Sequence, residues 1–222
     1  ASTFIAGVLA ARKGLKPPIG SISQMAHIRL GTKEESRNPL IKDFVPLAEL
    51  DDLVFGGWDP ISPNVLEAAR TAGVLEGDDL SEISSDLESI IPMEAVFDKK
   101  WVSRLDGVRV KDIESKWDQA EALIQDIANF KEENDCDRLV MVWCGSTEAF
   151  QEPSEVHASV AAFEEGLRNN DPNISPSQIY AYAALQSDVP FANGAPNLSC
   201  DLDCIVELSK SRGVPIAGKD FK

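Results

Sequence analysis

The sequence predicts an α/β fold, a doubly wound Rossmann-type parallel sheet with helices on its faces. Three observations support this fold class. Short apolar runs alternate with amphipathic segments of about ten to twenty residues, which is the βαβ pattern. The strand predicted at 138–144 is continuously apolar after Arg138, as expected of a parallel strand covered on both faces. Glycine-containing polar segments follow several of the runs.

The clearest element in the first half of the chain is a helix over 2–13. Phe4, Ile5, Val8 and Leu9 form its apolar face, as the helical repeat requires. A capped apolar helix of this kind normally follows a buried strand, so we expect the domain to begin before residue 1. The other elements expected in this half are a short strand at 27–30, a buried strand at 52–57, a helix at 64–75 capped by Ser62 with Pro63 in its first turn, and a helix at 79–91.

The second half alternates more regularly. The helix over 113–133 carries apolar residues at spacings of three and four, from Trp117 to Phe130, which marks one buried face. The remaining elements expected there are strands at 138–144, 189–194 and 214–218, and helices at 154–168, 175–186 and 202–212.

The charge balance excludes some classes of partner. The 222 residues include 21 Lys and Arg against 37 Asp and Glu, a formal net charge of −16. A chain this acidic is a poor general binder of nucleic acid or of an anionic membrane surface, because both favour positive charge. The sequence contains no run of about 18 apolar residues, so no transmembrane helix is predicted. One small anionic ligand stays compatible, since local helix ends and a few lysines decide that contact.

The cysteines and histidines do not predict a metal site. Cys200 and Cys204 are four residues apart, but His27 and His157 are far from them in sequence, and a zinc site needs further ligands. We therefore expect four reduced thiols in a cytoplasmic protein. His27 is interpreted as a structural residue, and His157 is expected on an exposed helix face.

Ligands of open α/β sheets bind beyond the carboxyl ends of the strands. Candidate functional residues are therefore expected directly after each predicted strand and at one helix start. Each also has an ordinary structural interpretation as a turn, a helix cap or a solvated side chain. No Ser-His-Asp set, GxxxxGK[ST] loop or GxGxxG loop is present. The candidate segments are 56–59, 145–148, 174–177, 191–197 and 218–222.

Taken in order, these segments resemble the myo-inositol-1-phosphate synthase family. The most specific of them is DLVFGGWD at 52–59. The resemblance covers essentially the whole chain, and its specificity comes from the ordered set. The other matching segments are ST-x-x-AGV at 2–8, GSISQ at 20–24, ISPS at 174–177, VPF-x-NG-x-P at 189–196 and G-x-DFK at 218–222.

This resemblance implies a fold and a reaction. The family has an NAD-binding Rossmann domain followed by a catalytic and tetramerisation domain. Residues 1–222 would then be a partial NAD-binding domain that ends where the catalytic domain starts. The family converts glucose 6-phosphate to an inositol monophosphate, by oxidation at C5, loss of a C6 proton, intramolecular aldol closure onto C1 and reduction of the C5 ketone. NAD is the cofactor, it is regenerated, and the enzyme is a homotetramer.

The resemblance also implies roles for individual residues. Lys222, in the DFK segment, would stabilise the developing enolate and alkoxide, since preorganised cations lower such barriers. Ser175, Asn193 and Asn197 would approach the nicotinamide or the sugar phosphate. The residues implied in cofactor binding are Ser2 and Thr3 at the pyrophosphate, Asp59 at the polar edge of NAD, the strand-end segment Cys144, Gly145, Ser146 and Thr147, and Ser177.

Two segments differ from the family pattern. Cys144-Gly145-Ser146 stands where the family has T-A-N, and 193–199 reads NGAPNLS where the family has NGSPQNT. The glycine loop that precedes the first helix in the family, and its further catalytic lysines, lie outside residues 1–222. We therefore expect residues 1–222 by themselves not to turn over substrate.

Two other classes of function remain open at this stage. One is a non-catalytic dinucleotide-binding or oligomer-forming module. The other is a conventional NAD-dependent dehydrogenase, which would release NADH, whereas the synthase reaction does not. The GGWD and ISPS segments together favour the synthase over the dehydrogenase.

Overall fold

The computed structural model describes residues 1–220, and the chain divides into two compact units. The first unit comprises residues 1–57 and 62–92, and the second comprises 58–61 and the residues from 93 onward. Within residues 1–220, none of the helices has the length and apolar character needed to cross a membrane. The predicted roles of Lys222 fall outside the described residues.

The first unit is helical and has its own core. The apolar face predicted for the first helix is partly confirmed, because Ile5 and Leu9 are buried whereas Phe4 is exposed. Ile83 and Leu87 complete the same cluster. Its elements are α1 (Ser2–Arg12), α2 (Ile22–Met25), α3 (Val65–Ala72), α4 (Gly77–Ser81) and α5 (Ser84–Ser89), with 3-10 turns at Ile41–Asp43 and Leu50–Asp52.

The strand predicted at 52–57 is wrong. Residues 53–57 have no regular secondary structure, and nothing within residues 1–220 pairs with them as a neighbouring strand. The carbonyl groups of Leu50 and Leu53 accept hydrogen bonds from the Arg12 guanidinium instead. The strand predicted at 27–30 is reduced to two isolated antiparallel bridges, His27 to Leu40 and Leu30 to Arg37.

Two helix predictions in this unit need correction. Helix α3 is capped by Asn64, whose Oδ1 accepts from the backbone N–H of Glu67 at 2.9 Å, and not by Ser62. The single helix predicted at 79–91 is two short helices. The break lies at 82–83, where the hydroxyls of Ser81 and Ser84 bond to backbone carbonyls three residues earlier. Such local hydroxyl bonds compete with regular helix formation.

The second unit contains the parallel sheet that the sequence predicts, so the fold class is confirmed. Three short strands lie in the order β1-β2-β3, and both pairings are parallel. Its elements are β1 (Met141–Trp143), β2 (Phe191–Asn193) and β3 (Ile216–Gly218), with helices α6 (Lys116–Glu133), α7 (Val160–Arg168), α8 (Pro176–Gln186) and α9 (Asp203–Arg212).

Helix α8 is the centre of this unit. Every residue from Pro176 to Leu185 is buried. Phe163 and Leu167 of α7 and Ile205 of α9 belong to the same core cluster. A helix buried on all sides has a fixed position, because its packing leaves few alternatives. The N-terminus of α8 is therefore rigidly placed.

The strands are shorter than predicted, and β1 is not covered on both faces. Met141 and Trp143 pack against the core, whereas Val140 is 69% exposed and Val142 is 47% exposed. Within residues 1–220, nothing buries these two valines. Among the described residues, only one face of this apolar run therefore packs against the core.

Candidate functional site

The three parallel strands end side by side. Trp143, Asn193 and Gly218 are register partners at the carboxyl ends of β1, β2 and β3. Gly218 has a φ of +132°, and an added Cβ would lie 2.6 Å from the carbonyl oxygen of Asn193. The backbone N–H of Gly194 donates to the carbonyl of Trp143 at 2.9 Å. The segments that follow β1 and β2 are therefore neighbours at the edge where ligands of such sheets bind.

The segment after β1 is an exposed loop that runs from Cys144 to Thr147. None of the hydrogen bonds found among residues 1–220 uses the hydroxyl of Ser146 or Thr147. These two hydroxyls, together with the backbone of Gly145, are accessible to a ligand at the strand ends. The structure thus brings the four residues predicted here to a place where they can contact a cofactor.

The turn after β2 is built from two buried asparagines. Asn193 Oδ1 accepts from the backbone N–H of Ala195 at 3.0 Å, and its Nδ2 donates to the Asn197 carbonyl at 2.7 Å. Asn197 Oδ1 accepts from the backbone N–H of Glu148 at 2.9 Å. Among the described residues, Asn197 Nδ2 has no hydrogen-bond partner. A buried donor without a partner is costly, so this N–H is the group that a ligand oxygen would satisfy.

Glu148, the last residue of the candidate segment 145–148, has no role predicted from the sequence, and it links this turn to helix α8. Glu148 is 8% exposed. Its carboxylate accepts from the backbone N–H of Ser177 at 2.8 Å and from the Ser177 hydroxyl at 2.6 Å. Burial raises the pKa of Glu148, and hydrogen bonds from Ser177 and Ser175 offset part of that effect. The available signal was a carboxylate at the end of a strand-end segment that is otherwise made of small polar residues.

Ser177 is linked to the strand ends by its hydrogen bonds to Glu148, and Ser175 lies next to Ser177. Both serines are buried, and their hydroxyl oxygens lie 3.2 Å apart. Ser175 caps α8 in a capping box with Gln178, whose Oε1 accepts from the Ser175 N–H at 3.0 Å. The predicted helix start is confirmed, while direct ligand contacts of the two serines stay a prediction.

The exposed position expected for His157 is wrong. His157 is buried in a 3-10 turn. Its Nδ1 accepts from the backbone N–H of Ser154 at 3.0 Å, and its Nε2 lies 3.2 Å from Gln178 Oε1. The imidazole therefore contacts the first turn of α8 through Gln178.

Trp58, in the GGWD segment, packs against the core of the second unit. Its indole N–H donates to Asp126 Oδ2 on α6 at 2.7 Å, and Lys111 Nζ lies 2.8 Å from the same oxygen. Its ring centroid lies 5.2 Å from that of Tyr180 on α8, and the ring centroid of Trp143 on β1 lies 5.2 Å from that of the same tyrosine. Tyr180 therefore joins Trp58 to the end of β1.

Asp59, predicted to bind the cofactor, follows directly after Trp58. It is half-buried, and its Oδ1 accepts from the backbone N–H of Ile61 at 2.7 Å. Its own backbone N–H donates to the Met93 carbonyl at 3.3 Å. The carboxylate is therefore held in a tight turn next to the anchored tryptophan.

Ser2 and Thr3 lie in the first unit, at the beginning of α1. No side chain caps this helix, and both residues are half-buried. The first turn of a helix offers N–H groups to an anion. Their predicted contact with a pyrophosphate stays a prediction, made within that unit alone.

A cavity of about 420 Å³ lies beside the first turns of α6 and α8. Phe97, Lys116 and Pro176 contribute to its lining. Lys116 Nζ donates to the carbonyls of Asp171 and Ile174, each at 2.6 Å. Burial lowers the pKa of Lys116. This lysine fixes the loop that leads into α8, so it supports the start of that helix.

These features define a class of protein. Parallel strands whose carboxyl ends carry glycine turns, accessible hydroxyls and an unused amide N–H belong to an α/β domain of the nucleotide-binding type. Among residues 1–220, no group of three or more metal-ligating side chains is present.

Comparison with known proteins makes the assignment specific. The sequence model of the family described as myo-inositol-1-phosphate synthase, in its NAD-binding part, matches residues 1–222. The chain belongs to this family, and NAD is the cofactor of the matched domain. The family resemblance drawn from the motifs is confirmed.

Named relatives agree with this family. The chain is 49% identical over 223 residues to inositol-3-phosphate synthase 1 of Bacteroides thetaiotaomicron, covering all of this chain and 51% of the relative. It is 32% identical to inositol-3-phosphate synthase of Brassica napus, covering 46% of it. The crystal structure of inositol-3-phosphate synthase from Caenorhabditis elegans matches with a TM-score of 0.90 at 25% identity, over the whole chain and 46% of that protein. The chain thus spans about half the length of these relatives.

The residues at the strand ends fit NAD. The accessible hydroxyls of Ser146 and Thr147 can donate to phosphate or ribose oxygens. The unused Nδ2 of Asn197 can donate to a carboxamide or phosphate oxygen. The Glu148 carboxylate occupies the N-terminus of α8, so an anion would meet the loop after β1 rather than that helix end.

Proposed function

We propose that the full-length protein carrying this chain is an inositol-1-phosphate synthase, which converts D-glucose 6-phosphate to myo-inositol 1-phosphate, also numbered 3-phosphate. The observation that carries the proposal is the family match over residues 1–222, with Trp58 and Asp59 of the GGWD segment and the whole ISPS and NG-x-P segments in the second unit. A domain that only binds a nucleotide would not need this ordered set.

The roles proposed for the chain's own residues are supported by the contacts at the strand ends and, for Lys222, by the family resemblance alone. Bound NAD supplies a reversible hydride acceptor for the C5 hydroxyl carbon of the sugar. Ser146 and Thr147 bind the cofactor through their free hydroxyls, and Asn197 orients an oxygen of the ligand through Nδ2. Asn193 holds Asn197 in place by its hydrogen bond to the Asn197 carbonyl. Lys222 supplies positive charge to the sugar oxygens on which negative charge develops.

The proposal extends to assembly and location. A homotetramer and a cytoplasmic location are expected for such an enzyme. The charge of −16 supports the expectation that neither nucleic acid nor an anionic membrane is a partner. Analytical ultracentrifugation of the full-length protein tests the tetramer.

The decisive experiment incubates the full-length protein with glucose 6-phosphate and a catalytic amount of NAD. Phosphorus NMR follows the product while NADH absorbance is read in parallel. An inositol monophosphate signal without net NADH is expected, because oxidation and reduction occur in one cycle. Steady accumulation of NADH would instead identify a dehydrogenase. Binding of NAD without either signal would identify a non-catalytic module.

The role of Lys222 has its own test. Lys222→Ala should lower kcat by at least about a hundredfold, the scale of losing one electrostatic group at a reacting centre, with NAD affinity nearly unchanged. Lys210→Ala removes an exposed lysine of α9 and is the matched control. Equal activities of the two variants would remove Lys222 from the reaction. A second assay, on residues 1–222 alone, should show no turnover.

A further inference from the structure

Glu148 makes contact with three segments that carry predicted site residues. Its backbone follows the exposed loop after β1. Its carboxylate binds the backbone N–H and hydroxyl of Ser177 at the start of α8. Its backbone N–H binds Asn197 Oδ1, and Asn197 in turn is bonded to Asn193 at the end of β2. No other buried carboxylate among the described residues has this position.

We propose that Glu148 is a positioning residue for cofactor binding. It locks the loop after β1 and the Asn193–Asn197 turn onto the N-terminus of α8, and so leaves Asn197 Nδ2 directed to a ligand. This inference rests on the proposed binding of NAD. It gives Ser177 a role as a donor to Glu148, in place of the direct cofactor contact that the sequence resemblance implies.

The direction of the Asn197 amide depends on this arrangement. Because the Glu148 N–H needs an acceptor, it faces Oδ1 of Asn197 and leaves Nδ2 on the other side. Displacing Glu148 would free the amide to rotate and to spend Nδ2 on another protein atom. A ligand would then lose a preorganised donor, which weakens binding without requiring that the protein unfold.

Neutral and ionised forms of Glu148 can both hold the arrangement. The carboxylate accepts from both donors of Ser177, whereas a protonated carboxyl keeps the N–H and donates to the Ser177 hydroxyl oxygen. That hydroxyl can then turn to Ser175, 3.2 Å away.

Asp98 is the charged group that acts on Glu148 and raises its pKa further, and His157 reaches the cluster only through Gln178. Glutamine at this position mimics the protonated form, since its amide N–H can donate in the same direction.

The test compares Glu148→Ala, Glu148→Gln and the control Glu152→Gln, an exposed glutamate four residues further on. NAD affinity is measured by calorimetry on the full-length protein, at a temperature where circular dichroism shows each variant folded. Glu148→Ala should weaken NAD binding by about tenfold or more, the scale of one preorganised hydrogen bond. Glu148→Gln and Glu152→Gln should stay within about threefold of the wild type, which the same scale allows.

A second readout follows the proton on Glu148. Its folded-state pKa is raised by burial, so its contribution to stability is present below the unfolded pKa and is lost as the pH rises through the folded one. The unfolding midpoint of the wild type should therefore fall relative to Glu148→Gln as the pH rises over that window. Ser177→Ala removes a donor to the carboxylate and should move the window to higher pH, but should have no such effect in the Glu148→Gln background.

The outcomes separate the two proposals. A wild-type protein that does not bind NAD overturns the proposed function, and this inference with it. If the wild type binds NAD and folded Glu148→Ala binds it equally tightly, this inference alone is overturned. If Glu148→Ala does not fold, Glu148→Asp, which shortens the side chain by one methylene, carries the same comparison. An affinity of Glu148→Asp equal to that of the wild type would then overturn the role of Glu148.

Discussion

At the scale of single residues, the site depends on buried polar groups whose partners lie far away in sequence. The strand-end segments could be predicted because glycine, serine and asparagine after an apolar run are visible in the sequence. Glu148 lies in one of these segments, but its burial and its role could not be predicted, because a carboxylate after a strand is usually a solvated side chain. Its burial follows from Ser177, 29 residues away. Sequence spacing contains no information on such a contact.

Asp126 provides the residue-scale prediction. It accepts from the Trp58 indole and pairs with Lys111, and the side chains of the ion pair are 14% and 19% exposed. Asp126→Ala should lower the free energy of unfolding by about 2–3 kcal/mol, because a partly buried lysine and an indole N–H both lose their partner. Urea unfolding followed by tryptophan fluorescence measures the change.

Glu132→Ala is the matched control for that prediction, since Glu132 is an exposed carboxylate on the same helix. It should change the unfolding free energy by less than about 0.5 kcal/mol. If both variants behave alike, the anchoring of Trp58 does not depend on Asp126.

At the scale of elements, the sequence predicts helices better than strands. Helix α8 begins at Pro176, as the Ser175-Pro176 pair indicates, because capping is a local property. The strand predicted at 52–57 failed because a strand exists only with a hydrogen-bonded neighbour. The composition of that segment favours a strand, but the composition contains no information on whether a second strand lies beside it.

The start of α3 provides the element-scale prediction. The cap is Asn64, so Asn64→Ala should lower the unfolding free energy by about 1 kcal/mol through loss of the bond to the Glu67 N–H. Asn64→Asp keeps an acceptor at the same place and should retain most of the stability. Thermal or urea unfolding by circular dichroism distinguishes them, and equal losses in both variants would argue against a capping role.

At the scale of the whole molecule, the negative net charge is unfavourable for binding an anionic cofactor. The net charge of −16 repels an anion, yet the family binds a pyrophosphate cofactor. If affinity came from the overall field, it would require a basic surface, as in nucleic-acid binders. We therefore expect binding to come from short-range donors, for which the Ser146 and Thr147 hydroxyls and the Asn197 amide are proposed.

The acidic charge of the chain determines the expected sign of the salt dependence of NAD binding. Raising the ionic strength from about 0.01 M to about 0.15 M shortens the Debye length from about 30 Å to about 8 Å. The screening weakens the repulsion of the acidic surface and leaves short hydrogen bonds nearly unchanged. The dissociation constant for NAD, measured by calorimetry at both ionic strengths, should therefore fall slightly or stay constant. A dissociation constant that rises about tenfold would show that long-range attraction holds the cofactor, because only attractive charges are weakened by salt in that direction.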